Sequence, residues 1–478
     1  METDLIIIGA GPVGLLSAYL ARRCGFDVVI IDKSEGPLQV GRADALNART
    51  LQLFQIVDLF DELYPQGKPC NTSSVWADGR FVSRQSEWWD KLEGCFHKHF
   101  LMLGQSFVEQ ILDRKLKELE SPVRRETEVE SLEITDKRCR VVTSDGRTLT
   151  SKYVIGADGS RSWVRNHLNI PFSIVRPQIV WAVIDGVLDT DFPKVPEIIV
   201  FQNETSDVAW IPREGDIDRF YIRMDTHDFT YEQALERIQK AVQPHRLDFE
   251  KVVWFSQFSV KESVAAKYGV DNKVFLAGDA CHIHSVNGGQ GLNTGLADAF
   301  NLIWKLNMVE HHGADPELLD SYENERRPVA LSVIDSSGEL VRATKYSDQG
   351  THATDYVKIV ERRAGNITGM GIRYGGEGLE GSRLHDFEYQ SEGRTTRAYS
   401  NLDYTKFTLF LFGEMDQEIE VPEFVRVVKV DPENAPLEYQ GKAVLTRPDA
   451  YIQAVAPLQN TEELTKKLQP ASSPFSFR

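Results

Sequence analysis

Hydrophobic and polar positions alternate with different periods along the chain, and the period changes mark its elements. Residues 4–8 (DLIII) and 27–31 (DVVII) are short apolar runs of the kind buried on both faces of a parallel sheet. Between them LLSAYLARRCG (15–25) has apolar residues at helical spacing and stops at Gly25. Residues 4–31 therefore predict a strand, a glycine turn, a helix and a second strand. A helical stretch begins near Ala48, and GQSFVEQILDRKLKELE (104–120) predicts an amphipathic helix. Residues 127–155 alternate around the turn signal SDGR and predict a meander ending in the strand KYVIG. From 178 to 260 the runs IVWAVIDGVL, EIIVFQ, DVAWIP, RFYIRMD and VVWFSQFSV predict a β-rich region, interrupted by the helix YEQALERIQKAV. VFLAG (274–278) is one more buried strand, followed by the helix ADAFNLIWKLNMVEHH. The segment 316–344 predicts a long amphipathic helix interrupted near Pro328. Residues 345–400 are polar and glycine-rich and are expected to be a linker with a surface excursion. KFTLFLFG, FVRVVKVD and KAVLTRPDAYIQAV predict a small appended α/β or β piece, with a loose tail from Pro457.

Length and charge narrow the classes. A chain of 478 residues holds two or three domains. Its net charge of −17 argues against a nucleic-acid binder, which needs a basic face, but allows an anionic ligand held by backbone N–H groups. Cys24, Cys70, Cys95, Cys139 and Cys281 are scattered with no CxxC, which fits a reducing compartment and not structural zinc. The apolar run after Met1 is cut by Gly9, Gly11, Pro12 and Gly14 and follows Asp4. Neither a signal peptide nor a membrane span is built this way, so a soluble cytoplasmic protein is expected.

Three segments carry candidate chemistry. Gly9-x-Gly11-x-x-Gly14 sits between a strand and a helix, where glycine lets a pyrophosphate approach the backbone and the helix end supplies oriented N–H groups. Asp32, followed by Lys33, ends the second strand, where a carboxylate accepts hydrogen bonds from a ribose. VIGADGSRSWVR (154–165) and VFLAGDACHIH (274–284) each place an Asp (Asp158, beside Gly159, and Asp279) at the C-terminal end of a buried strand. Three separated segments closing on one site predict a large, deeply held dinucleotide. His282-x-His284 invites a metal reading. Alternating residues at a strand end point to opposite sides and no third ligand is near in sequence, so the preferred role is capping or support of the loop, with no metal.

Gly9-x-Gly11-x-x-Gly14, Asp158-Gly159 with Ser162 and Arg165, and Gly278-Asp279 followed by GGQGLNTGLADAFNLIWKL resemble the three fingerprints of the single-component FAD-dependent aromatic hydroxylases. The resemblance covers residues 4 to about 306. It implies a Rossmann-like FAD-binding domain interleaved with a β-sheet substrate domain, in the manner of p-hydroxybenzoate hydroxylase. On that reading residues 1–175 and 261–345 bind FAD, 70–100 and 176–260 form the substrate domain, 346–400 is the linker, and 401–478 is a shortened thioredoxin-like remnant without CxxC. The resemblance also implies that Asp279 binds the ribityl chain and that Asp158 supports the ribose and pyrophosphate. The helix start at Gly289, Gly291, Leu292 and Asn293 would present N–H groups to the flavin, with Gln105 and Arg42 also at the cofactor. NADPH or NADH, used with the segment around Arg161 and Arg165, would reduce the flavin, and a C4a-hydroperoxyflavin would transfer oxygen to a phenolic or polyketide-like ring.

The closest likeness is to the phenol hydroxylases, whose pocket uses an Asp, an Arg and a Tyr. The matching positions are Asp44 in RADAL, Arg213 in IPRE and Tyr221 in RFY. A Tyr–Asp pair can orient a phenol and help remove its proton, and an Arg favours the anion. Trp181, Trp210, Val286 and Asn287 are expected to line the pocket, Val286 standing where the family commonly has proline. The resemblance implies a small aromatic substrate, O2 and a homodimer, with no nucleic acid or membrane partner. The same fold also hosts epoxidation, dearomatisation and ring-opening, and a flavin-binding scaffold without activity is the reading from a different class.

Overall fold

The computed structural model describes residues 1–174, 179–202, 208–284, 289–344, 353–391, 393–415 and 419–460. The elements that position the site are β1 (Leu5–Ile8), α1 (Pro12–Arg23), β2 (Val28–Ile31), α2 (Gln105–Glu118), β3 (Tyr153–Gly156), β4 (Ile179–Thr190), β5 (Val208–Pro212), β6 (Asp218–Met224), β7 (Leu247–Val260), β8 (Val274–Leu276), α3 (Gln290–His312) and α4 (Asp320–Thr344).

A five-stranded sheet runs in the order Gly269–Val270, β8, β3, β1, β2. β8, β3, β1 and β2 are mutually parallel, with Leu5 opposite both Tyr153 and Val28 and Val154 opposite Val274. Every residue of these four strands is buried, which is why they read as unbroken apolar runs. Parallel pairing sends all four C-terminal ends to one edge. The glycine turn, Asp32, Asp158 and Asp279 therefore meet there although they span some 270 residues of sequence. The predicted meander is a separate antiparallel sheet of Val129–Ile134, Cys139–Thr143 and Thr148–Ser151.

The β-rich region is a seven-stranded sheet in the order β7, β4, β6, β5, Ile198–Gln202, Ser73–Ala77, Arg80–Gln85. Its two faces separate by the strand period of two. Ala182, Ile184, Phe220, Ile222 and Trp210 join a core closed by the helix Tyr231–Ala241 through Ala234 and Ile238. That helix begins with a capping box between Thr230 and Gln233. The opposite face carries Trp181, Val183 and Asp185 on β4 beside Arg223, Tyr221 and Arg219 on β6.

Two expectations give way. The helix containing Pro328 is continuous from Asp320 to Thr344. Proline forfeits one backbone hydrogen bond, but buried Tyr322, Arg326, Ala330, Val333 and Ile334 hold both halves against the core. The stretch expected as linker and excursion is packed over much of its described length. Ala353–Arg362 is a helix lying on α4, and Ile367, Met370, Tyr374, Leu384, Phe387, Tyr389 and Tyr399 are buried. Its polar composition reflects turns and hydrogen-bonded tyrosines, not solvation. The chain then forms a mixed sheet in the order Val425–Val430, Phe407–Phe412, Lys442–Thr446, Ile452–Pro457. The tail beyond 460 lies outside the described residues.

Candidate active site

The glycine turn is shaped by two close approaches and one opening. Gly9 has φ +104°, and a Cβ there would lie 2.4 Å from the Ala157 carbonyl oxygen; a Cβ on Gly14 would lie 1.9 Å from that of Gly9. These two hold β1, β3 and α1 together. A Cβ on Gly11 would meet nothing within 4 Å. Gly11 is the N-cap of α1 without a side-chain cap, and Pro12 occupies the first turn. The orphan N–H groups of that turn face an open cradle, which fits a pyrophosphate. Asp32 Oδ2 accepts the Ala10 N–H at 2.6 Å and Oδ1 accepts that of Ser34 at 2.7 Å, while Lys33 is exposed. Gly11→Ala is expected to fold normally but to bind FAD at least tenfold more weakly, whereas Gly14→Ala loses the fold around the turn. Thermal melts with flavin titration separate the two.

Asp158 accepts the Ser162 hydroxyl at 2.5 Å and the Val164 N–H at 3.0 Å, and Gly159 beside it has φ +81° with open space around it. Burial raises the Asp158 carboxyl above its ordinary value. Arg165 departs from expectation: it is buried, donates to the carbonyls of Ala280 and Ser160, and lies over the Phe172 ring. It ties the second fingerprint to the third, whereas Arg161 is exposed and has no ion-pair partner among the described residues.

Asp279 opens onto the cleft but is enclosed by protein, and this burial raises its carboxyl, against the charges of His282 and Arg42. The α3 N-cap is Gly289, at φ +61° and with no side-chain cap, and Gly291 after it faces open space. Leu292 is buried. The Asn293 side chain is fully engaged. Its Oδ1 accepts the Asn47 N–H at 2.9 Å and the Thr50 hydroxyl at 2.8 Å, and its Nδ2 donates to Ala45 at 3.0 Å and Gly289 at 2.8 Å. Asn293 therefore fastens the RADALNART segment to α3, and only its backbone is available to a cofactor. Gln105, at the start of α2, donates to Glu109 at 2.8 Å, and Glu109 accepts the Leu38 N–H at 2.7 Å. Arg42 is exposed at φ +65°, and its carbonyl accepts from Arg219. Val286 and Asn287 lie outside the described residues.

The two histidines form a hydrogen-bonded chain. His282 Nε2 lies 2.6 Å from Asp298 Oδ2, and His284 Nε2 lies 2.9 Å from His282 Nδ1. Asp298 also accepts Arg326 at 2.7 Å and the Gly278 N–H at 3.0 Å. Burial pushes the Asp298 carboxyl up, but His282 and Arg326 outweigh it and hold it at about 2. Cys281, His282 and Asp298 are close enough to share a metal ion. Both Asp298 oxygens already have donors, so hydrogen bonding accounts for the arrangement. His282 and His284 do not point to opposite sides: they are two residues apart, share a face, and their rings contact each other.

Asp44 and Tyr221 come together as expected, with the tyrosine hydroxyl 3.1 Å from Asp44 Oδ2. The arginine does not. Arg213 pairs with Glu214 at 2.6 and 3.0 Å and with Asp185 at 3.2 Å, and Glu214 is fixed by the Gly104 N–H. Arg219 reaches the pair instead. Its Nη1 lies 3.1 Å from the Tyr221 hydroxyl and 3.3 Å from Asp44, and its Nε and Nη2 hold Asp185 at 2.6 and 2.7 Å. Spacing along the strand decides this. Arg219 and Tyr221 are two apart on β6 and share a face, whereas Arg213 follows the end of β5. That period of two was the available signal. Burial opposes the charge on Arg219, but Tyr221, Asp44 and Asp185 raise its pKa well above the ordinary value. Burial and the Asp44 charge raise that of Tyr221.

The two expected tryptophans separate. Trp181 is buried on the Tyr221 face, and its indole N–H has no partner among the described residues. Trp210 is on the opposite face, in the core, donating to Asp218 at 3.0 Å. Sequence reasoning missed Trp254, which lies beside the Arg219 guanidinium at 5.3 Å and against Gly41.

A fold that gathers three fingerprints around an open pyrophosphate cradle, facing a polar sheet, defines a dinucleotide-binding protein with a second, polar wall over the cofactor site. A family model for an FAD binding domain matches residues 2–337. The chain is 30% identical over 468 residues to phenol 2-monooxygenase fsqG of Aspergillus fumigatus, covering 89% of this chain and 78% of that one. It is 30% identical to rifampicin monooxygenase of Streptomyces venezuelae, covering 94% of each. The solved OxyS anhydrotetracycline hydroxylase of Streptomyces rimosus superposes with a TM-score of 0.81 at 27% identity, over 98% of this chain and 99% of that one. The chain belongs to the family of single-component FAD-dependent aromatic monooxygenases, enzymes that use NAD(P)H as co-substrate. Among the described residues no helix is long and apolar enough to cross a membrane.

Proposed function

We propose that the enzyme hydroxylates a phenolic ring held between the cofactor edge of the five-stranded sheet and the Tyr221 face of the seven-stranded sheet. The observation that carries this reading is the Tyr221 hydroxyl lying between Asp44 and Arg219. Bound FAD, reduced by NAD(P)H, supplies the activated oxygen. The protein's own contribution is to orient and ionise the substrate. Tyr221 Oη takes a hydrogen bond from the phenol and passes its own proton toward Asp44 Oδ2. The Arg219 guanidinium, fixed from behind by Asp185, offsets the negative charge that then develops on the ring. Trp181 and Trp254 bound the same face with flat apolar surface. In this reading residues 73–85 and 179–260 form the substrate domain, and the C-terminal sheet, a shortened thioredoxin-like piece, has a structural role.

Following NADPH and NADH oxidation with a panel of phenols and larger phenolic polyketides, with product masses, tests this reading. A phenol that stimulates oxidation and gains one oxygen supports it; silence toward every phenol overturns it. Tyr221→Phe is expected to keep FAD and a normal melting temperature but to lower oxygen insertion at least tenfold, with more peroxide released per NAD(P)H. Unchanged coupling would remove Tyr221 from the mechanism.

A further inference from the structure

Two buried residues on one small cavity each carry an N–H group with nothing to donate to. The cavity lies between one face of α3 (Gln290, Thr294 and Ala297), Arg326 of α4, Arg49 of the helix Ala48–Ile56, and Gly369. Gln290, Thr294 and Ala297 are spaced i, i+4, i+7, so they share that face. The space is about 20 Å³, room for one water-sized occupant. Gln290 Nε2 and Arg49 Nε have no hydrogen-bond partner among the described residues, although the two residues are only 4% and 3% exposed. Buried polar groups are almost always paired, so two orphans on one cavity point to an occupant. A guanidinium can only donate, and the Gln290 amide offers its amino end, so the occupant accepts from both.

Charge decides what kind of acceptor it is. Among the described residues that line the cavity are two arginines and no acid. Arg326 is neutralised from outside the cavity by Asp298, at 2.7 Å. Arg49 has no carboxylate partner among the described residues. It donates to the Tyr399 hydroxyl at 2.6 Å, the Asp449 carbonyl at 2.7 Å and Gln52 Oε1 at 3.4 Å. Both carboxylate oxygens of Asp449 are taken by Arg447. A guanidinium this deeply buried is costly unless an anion stands beside it. Gln290 is also the first residue of α3, where the helix dipole favours negative charge. Water would satisfy the two N–H groups but not the charge, and phosphate or sulfate exceeds the space.

From this geometry we infer a buried halide site, a single chloride held by Arg49 Nε and Gln290 Nε2. The ion braces the first turn of α3 against the segment around Arg49. Asp44, Arg219 and Tyr221 do not line the cavity, so the inference is independent of the substrate reading.

The test melts the FAD-loaded enzyme in increasing sodium chloride or bromide, with sodium gluconate keeping the ionic strength constant. Crystals grown without halide are soaked in bromide. The midpoint should rise with either halide and, above the Kd, by a constant increment per tenfold in concentration, the form expected for one bound ion. Bromide should give an anomalous peak in contact with Arg49 Nε and Gln290 Nε2. Gln290→Leu removes one donor at similar volume and should raise the halide concentration needed for the same stabilisation roughly tenfold. An unchanged halide dependence in that variant would take Gln290 out of the site. Midpoints that coincide in chloride, bromide and gluconate, or density at the cavity without an anomalous signal, overturn the inference in favour of a water. An anomalous peak without the solution dependence marks binding at crystal concentration only and overturns it too. The melts and the soak of the parent enzyme need no variant, so they decide the matter if Gln290→Leu fails to fold.

Discussion

Arg219→Met is expected to lower kcat/KM at least about a hundredfold with the FAD content unchanged, whereas Arg213→Met should change it less than about tenfold. Removing one preorganised charge from a dry site typically costs two to three orders of magnitude in rate. Arg219 is the cation that touches both the Tyr221 hydroxyl and Asp44. Its pose is over-determined, because Nε and Nη2 are held by Asp185 and Nη1 itself also donates to the Arg42 carbonyl. Arg213 is also buried but spends its donors on Glu214 and Asp185, one ion pair away from the Tyr221 hydroxyl. Both substitutions leave buried acids short of a partner, so both should lower the melting temperature, in line with about 3–5 kcal/mol for breaking a buried pair. Steady-state kinetics on protein normalised for bound flavin separate the catalytic effect from that shared cost. Equal losses of kcat/KM in the two variants would show that the chemistry does not distinguish them.

Arg447→Met is expected to cost about 3–5 kcal/mol of stability, read as a lower midpoint in chemical denaturation. Arg447 is 2% exposed and binds Glu325 at 2.7 and 3.0 Å and Asp449 at 2.9 and 2.6 Å. Glu325, on α4, also accepts Lys305 at 2.9 Å and Asn301 at 2.6 Å, both from α3. The cluster thus pins the C-terminal sheet to the two helices behind the cofactor cleft. Arg49, beside the substrate segment, adds a hydrogen bond to the Asp449 carbonyl at 2.7 Å. Burial pushes the Glu325 carboxyl up, but Arg447 and Lys305 outweigh it and hold it at about 2 against an ordinary 4.5. Its contribution to stability is therefore fully present above about pH 4.5 and is lost as pH falls toward 2. Without Arg447 that depression shrinks, so the acid loss should be smaller and complete at a higher pH. Denaturation midpoints measured across this range for the parent and the variant check both claims, and coincident acid profiles would show that Arg447 does not set the state of Glu325.

Several of these features were legible in the residues alone. The fully buried strands, the strand–turn–helix context of Gly9, Gly11 and Gly14, and the Asp residues at strand ends follow from local rules: periodicity, turn chemistry, and the need of a parallel sheet to be apolar on both faces. Asp44 and Tyr221 came from the family likeness alone. Which arginine meets that pair was decided by the pleat of β6 against β5 and by two acids, Asp185 and Glu214, that sort the guanidinium groups between them. Trp210 lies in the core and not in the expected pocket for the same reason: a tryptophan in a strand declares its strand but not which side of the sheet is core. Asn293 and Arg165 looked like cofactor ligands in a fingerprint and are largely fasteners between segments more than 100 residues apart. The stretch 346–400 read as linker because several buried groups of its described part, such as Tyr374, Arg383 and Tyr399, are polar-ended side chains whose partners lie elsewhere in sequence. Local sequence thus determined the elements and the cofactor class, since those depend on neighbours along the chain. The division of charged and aromatic side chains between catalysis, core and interdomain contact was decided only by tertiary structure, because burial and pairing depend on neighbours in space.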